Sequence, residues 1–144
     1  MTWTAQATST HQDHVIAHVI GATVLGYFVF DESIYLLLDI GFFWRVYLDG
    51  EMGLLPYSVM IGELETDLQT KEQLRLDSDK LVTGRGSTES LKQIMMPPCE
   101  CMIGEVSFFG NGQDWKLVIR GEQGDFEIES SLATREFIVS RHSE

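Results

Sequence analysis

The sequence predicts an α+β, β-rich domain: an antiparallel barrel or sandwich of two meanders with one to three short helices. Three observations lead there. Between Ile34 and Leu48 every even-numbered residue is apolar, while the odd positions mix Tyr35, Leu37 and Phe43 with Asp39, Arg45 and Tyr47. That period of two belongs to a strand with one buried face, since at 3.6 residues per turn the same positions would encircle a helix. In the last third, glycine-containing turn signals recur about every 10–12 residues, the spacing of consecutive antiparallel strands rather than of βαβ units. Finally, 144 residues of which 44% are hydrophobic suffice for a core without metals or disulfides, because a chain of this size buries roughly 68–70% of its unfolded surface.

Taken in order, residues 1–10 are polar and uncharged apart from Met1, Trp3, Ala5 and Ala7, and read as a flexible N-terminal segment ahead of a single domain over 11–144. Thr10 with Asp13 three residues on resembles a capping box, which predicts a short helix from His11 to Ile20 closed by Gly21. A strand through Val15–Ile20 is the alternative, because short apolar runs are ambiguous by period. Val24–Phe30 reads as a strand, followed by turn chemistry at Asp31-Glu32-Ser33. The run 34–48 is one strand bent at Gly41 or two strands meeting there, and Asp49-Gly50 closes it.

Residues 57–96 change character. Thr66 and Gln69 form a second capping-box candidate, with a polar helix through Asp67–Leu76. Thr83-Gly84-Arg85-Gly86-Ser87 reads as a loop, and Glu89–Met96 as a short helix stopped by Pro97-Pro98. Strands follow at Met102–Phe109, Trp115–Arg120, Phe126–Ile128 and Phe137–Val139, giving about seven strands in all. His142 falls in a terminal stretch expected to be mobile.

Charge excludes some functions. Ten basic residues face 22 acidic ones, a formal net charge of −12, and no Lys/Arg cluster supplies the footprint that phosphate neutralisation requires. Nucleic acid and anionic membrane surfaces are therefore disfavoured, and a basic protein is the favoured charged partner. Most of the excess lies in residues 1–72, which hold Arg45 and Lys71 against ten acids. The opening residues lack a basic region followed by an apolar run, and Val15–Phe30 is broken by glycines and His18, so a cytoplasmic location is the expectation.

Several constellations could carry chemistry. On a helix, His11, His14 and His18 share one face at spacings that suit a metal. Met95–Met102 is rich in sulfur and contains Cys99 and Cys101, but a two-thiol site leaves a tetrahedral shell half empty. Gly84-Arg85-Gly86-Ser87 could cradle an anion, yet lacks the lysine of a phosphate-binding loop. Asp39 lies inside an apolar run, where desolvation would raise a carboxyl pKa, although its odd position points it to the wet face. No nucleophile or metalloprotease signature occurs and no motif implies a cofactor, so catalysis has no positive support.

The aromatic inventory is the more informative feature. Tyr35, Phe43 and Tyr47, with Asp39 and Arg45, share the mixed face, which is too apolar to remain bare. It must be covered by a helix, by the other meander or by another subunit. A homodimer through this sheet is the expected partner arrangement, and a cavity for a small apolar ligand lined by those aromatics is its competitor. The functional expectation is a non-catalytic binding or self-associating module. The alternatives are an acidic inhibitor or immunity-type protein that blocks a basic partner, and a small metal-binding enzyme using the N-terminal histidines.

Overall fold

A computed structural model of the chain describes residues 3–84 and 91–142. Among these described residues lie nine strands and three helices. Strands β2 (Val24–Phe30), β3 (Ser33–Leu38), β4 (Phe42–Tyr47) and β5 (Met52–Pro56) form a four-stranded antiparallel meander. β6 (Ile103–Asn111), β7 (Asp114–Gly121), β8 (Asp125–Ser131) and β9 (Glu136–Arg141) form a second meander. The two-residue β1 (Thr4–Ala5) extends the latter to five strands in the order β1-β6-β7-β8-β9. Neither sheet closes into a barrel. Among the described residues no helix is long and apolar enough to cross a membrane.

The alternation at 34–48 resolves into two strands joined by a turn over Asp39-Ile40-Gly41. Gly41 takes φ +81, in the left-handed region that β-carbons disfavour, and its N–H donates to the Leu38 carbonyl at 3.0 Å. The even positions Ile34, Leu36, Leu38, Trp44 and Val46 face the large sheet. There they meet Ile103, Phe108, Leu117, Ile119, Phe126 and Ile128 in the principal core. The odd positions Tyr35, Leu37 and Phe43 are equally buried, in a second core with Phe28, Met60, Ile61, Leu64, Leu74 and Ile94. Phe28 belongs to β2, and the other partners come from α2 (Tyr57–Glu63), the α2–α3 connection, α3 (Leu68–Thr83) and the segment after it. The four-stranded sheet is thus a middle layer, covered on its mixed face by helices of the same chain.

Helix α1 (Thr10–Val19) matches the predicted helix, with its cap shifted by one residue. Ser9 is the N-cap and forms a full capping box with Gln12, where the sequence reading paired Thr10 with Asp13. Gln12 also donates from Nε2 to the Gly50 carbonyl at 2.8 Å, which docks the helix on the small sheet. Gly50 has φ +88, and a β-carbon there would meet the Phe108 ring at 2.4 Å. The predicted polar helix becomes α3, longer than expected and capped by Asp67 rather than Thr66. Helix α2 and strands β1 and β5 were not expected, which brings the strands to nine where about seven were read. The predicted helix over Glu89–Met96 does not form across 91–96, where Met95 instead makes a β-bridge to Tyr27. Residues 89–90 of that helix, and Arg85-Gly86-Ser87 of the candidate anion loop, lie outside the described residues.

Asp77 explains the course of residues 91–96. It is fully buried on α3, and its Oδ2 accepts the backbone N–H groups of Lys92, Gln93 and Ile94 at 3.0, 2.7 and 3.0 Å. Its Oδ1 accepts from Gln73 at 2.8 Å. Burial alone would raise the Asp77 pKa, but these hydrogen bonds outweigh it and hold the carboxyl below its ordinary value. One carboxylate thereby fastens Ile94 over the sheet.

Candidate functional site

The mixed face of β3 and β4 ends in an open, charged corner. Arg45, central in β4 and opposite Tyr35 in the β3–β4 register, lies with its guanidinium carbon 4.2 Å from the Tyr47 ring centroid and 5.3 Å from that of Tyr35. Its Nε donates to Ser33 Oγ at 3.2 Å. Cation–π contacts of this kind fix the guanidinium plane against two rings. Burial raises the Tyr35 hydroxyl pKa, partly opposed by the positive charge of Arg45.

Two crevices share Arg45 and Asp31. One, of about 170 Å³, is bounded by Tyr35, Glu63 and Glu65. The other, of about 280 Å³, is bounded by Glu32, Tyr47, Asp49 and Leu132. The β2–β3 turn supplies Asp31 and Glu32, with φ +48 and +60, as a two-residue hairpin with the right-handed strand twist requires. Arg135 of the β8–β9 connection forms an ion pair with Glu32. Five carboxylates therefore surround Arg45 at one corner of the small sheet.

Of the residues predicted to bind a ligand, the structure brings Tyr35, Tyr47 and Arg45 together. Phe43 is fully buried and meets Tyr35 edge-on at 6.4 Å, as part of the packing beneath the corner. Asp39 stands apart: it is exposed in the β3–β4 turn and accepts the Thr23 N–H at 3.0 Å. The second face expected to need a subunit or a cavity is filled by Met60, Ile61, Leu64, Leu74 and Ile94. A larger hollow of about 560 Å³ lies elsewhere, between α2 and α3, lined by Ile61, Leu68, Lys71 and Arg75 among others.

The histidines separate. His14 and His18 lie one turn apart with their Nε2 atoms 3.3 Å from each other, whereas His11 Nε2 bonds the Met52 carbonyl at 2.9 Å. Among the described residues no group of three His, Cys, Asp or Glu side chains is placed to hold a metal. Both cysteines are free thiols. Burial pushes the Cys101 thiol up to about 11 and raises Cys99 as well, the opposite of what a reactive thiolate needs.

One polar cluster escaped sequence reading. On the outer face of the large sheet Glu127 accepts from His142 Nδ1 at 2.9 Å and lies 3.9 Å from Lys116 Nζ, which itself sits 4.9 Å from the Trp3 ring centroid. His142 was expected to be mobile, and its backbone N–H instead donates to the Asp125 carbonyl. Outward placement of Lys116 and Glu127 was readable from strand alternation, but their meeting with Trp3 and His142 depends on the paths of both chain ends.

No family model matches this chain, no curated protein is similar to it, and no solved structure matches its fold.

Proposed function

We propose that the chain is a non-catalytic binding module that docks a basic protein or peptide at the Arg45 corner. The observation that carries this reading is the gathering of Asp31, Glu32, Asp49, Glu63 and Glu65 around two crevices that share Arg45. Arg45 is already engaged by Tyr35, Tyr47 and Ser33, so the surrounding carboxylates exceed the local cations and attract more. The crevices are smaller than the ~300–1,000 Å³ of sites for drug-sized ligands. They suit single lysine or arginine side chains presented by a larger partner. Glu32 also holds a left-handed backbone conformation that is costly for a residue with a β-carbon, and such strain tends to persist where function requires the side chain.

Calorimetric titration with an oligolysine or oligoarginine peptide tests the proposal. Binding is expected at low salt and should weaken steeply as ionic strength rises. The triple variant Asp31→Asn/Glu63→Gln/Glu65→Gln should lose most of the affinity. A triple variant with the same charge change at exposed positions elsewhere, Glu100→Gln/Glu105→Gln/Glu122→Gln, should retain it. Equal losses in the two variants would reduce the effect to net charge and remove the Arg45 corner from consideration.

A further inference from the structure

Among the described residues the two sheets have four edge strands, β1 and β9 in the larger and β2 and β5 in the smaller, and three of them present little free edge. β1 is only Thr4 and Ala5, paired with Gly110 and Phe109 of β6 and continued by the Gln6 N–H donating to the Phe108 carbonyl at 2.8 Å, and so short a strand offers a partner little free edge. The β2 edge is covered by residues 95–103, through reciprocal 2.8 Å bonds between Tyr27 and Met95 and a 3.1 Å bond from Val24 N–H to the Cys101 carbonyl. The β5 edge is met by α1, where His11 takes the Met52 carbonyl, and ends in Pro56, which has no N–H to offer.

β9 is the exception. It is the last strand of its sheet and, among the described residues, pairs with β8 alone. The bond from His142 N–H to the Asp125 carbonyl sets the alternation of this ladder. Residues 138 and 140 bond toward β8, so the N–H and C=O groups of Phe137, Val139 and Arg141 face outward. Ile138 is 56% exposed beside them. Edge strands are ordinarily blunted by charged side chains, lysine above all, by proline or by a bulge; Glu136–Arg141 contains no lysine, proline or bulge and carries charge only at its two ends.

We infer that β9 pairs antiparallel with β9 of a second copy of this chain, joining two five-stranded sheets into one. Outward-facing groups must bond to outward-facing groups, and a two-fold register centred on Val139 is the one that pairs Phe137, Val139 and Arg141 of each copy with those of the other. Phe137 of each copy then lies opposite Arg141 of the other, an aromatic ring against a guanidinium. Glu136 lies opposite His142, and Ile138 opposite Ser140. A parallel arrangement would set each charged end against its like, so the strand is complementary to itself only in the antiparallel sense. This contact is independent of the mixed face of the small sheet, which the helices already occupy.

Hydrogen exchange resolved by residue, with sedimentation of the full chain over a concentration series, tests the inference without any substitution. The expected result is a species near twice 16.3 kDa, with the amides of Phe137, Val139 and Arg141 protected in step with its population. Val139→Pro removes an outward N–H while leaving the bonds to β8 in place. It should abolish the two-chain species without changing the circular dichroism spectrum. A chain that sediments as a monomer throughout, with those three amides exchanging freely, overturns the inference. So does a dimer in which they remain unprotected. Should Val139→Pro fail to fold, the alternating protection pattern of the unsubstituted chain still decides.

Discussion

The four-stranded and five-stranded sheets press their inner faces into one shared core, yet they differ in what lies on their other sides. β3 is buried at all six positions from Ser33 to Leu38, and after Ser33 its sequence is correspondingly a run of large, largely apolar side chains. β8 alternates between partly exposed and buried residues along its whole length, and its sequence alternates Asp125, Glu127 and Glu129 with Phe126 and Ile128. A strand covered on both faces and a strand covered on one thus differ visibly in composition. The difference shows that the odd positions of β3 and β4 report the number of layers rather than the presence of a partner subunit.

The largest expected effect is at the face of the small sheet that a two-layer sandwich would leave open. Leu36→Ala and Leu37→Ala, on opposite faces of β3 and both fully buried, should each cost about 3 kcal/mol in denaturant melts. The outward-facing Glu129→Ala on β8 should change stability by no more than about 0.5 kcal/mol. A small cost for Leu37→Ala would mean that the helical layer is loosely held and would dissolve the contrast.

The next effect concerns what holds that layer in place. Asp77→Ala strands three backbone N–H groups and should cost about 2 kcal/mol. Because the folded-state pKa of Asp77 lies below its unfolded value, its contribution is present above the ordinary carboxylate range. It is lost as pH falls through the depressed folded value. Acid titration of unfolding free energy should therefore show a steeper loss in the unsubstituted protein than in Asp77→Asn. Parallel curves would mean that the carboxylate is not what fastens residues 92–94.

The smallest effect is at the corner. Glu32→Gly relieves a residue at φ +60 and should raise stability by up to about 1 kcal/mol, reduced by the loss of the exposed ion pair with Arg135. The same variant should weaken binding of the basic peptide. A variant that gains stability and keeps full affinity would leave Glu32 without a part in docking.

Much of the fold was legible because strand alternation is a local property. Val24–Phe30 matches β2 residue for residue, and the bend at Gly41 and both meanders follow from turn chemistry and period. The helical layer was harder to read for a physical reason. The buried side of α3 contains Leu74, Asp77, Ser78 and the partly buried Leu81, so two polar residues interrupt the stripe that marks an amphipathic helix. Asp77 is tolerated there only because residues 92–94 supply its donors, an arrangement no window of local sequence contains. At the candidate site, Tyr35, Arg45 and Tyr47 were readable as sharing the mixed face, and the hairpin at Gly41 is what makes them neighbours across β3 and β4. Glu63, Glu65 and Glu32 joined them only through the helix connection and the β2–β3 turn.

The passage from residue 95 to residue 103 belongs to both halves of the molecule. It borders β2 through Met95 and Cys101, and Ile103 exchanges 2.8 Å bonds with Gly21 and Ala22 as it enters β6. Sliding one meander across the other would have to break that seam one bond at a time. A force applied to either sheet is therefore passed to its neighbour through the main chain as well as through packed side chains, and the pair should yield together rather than shear.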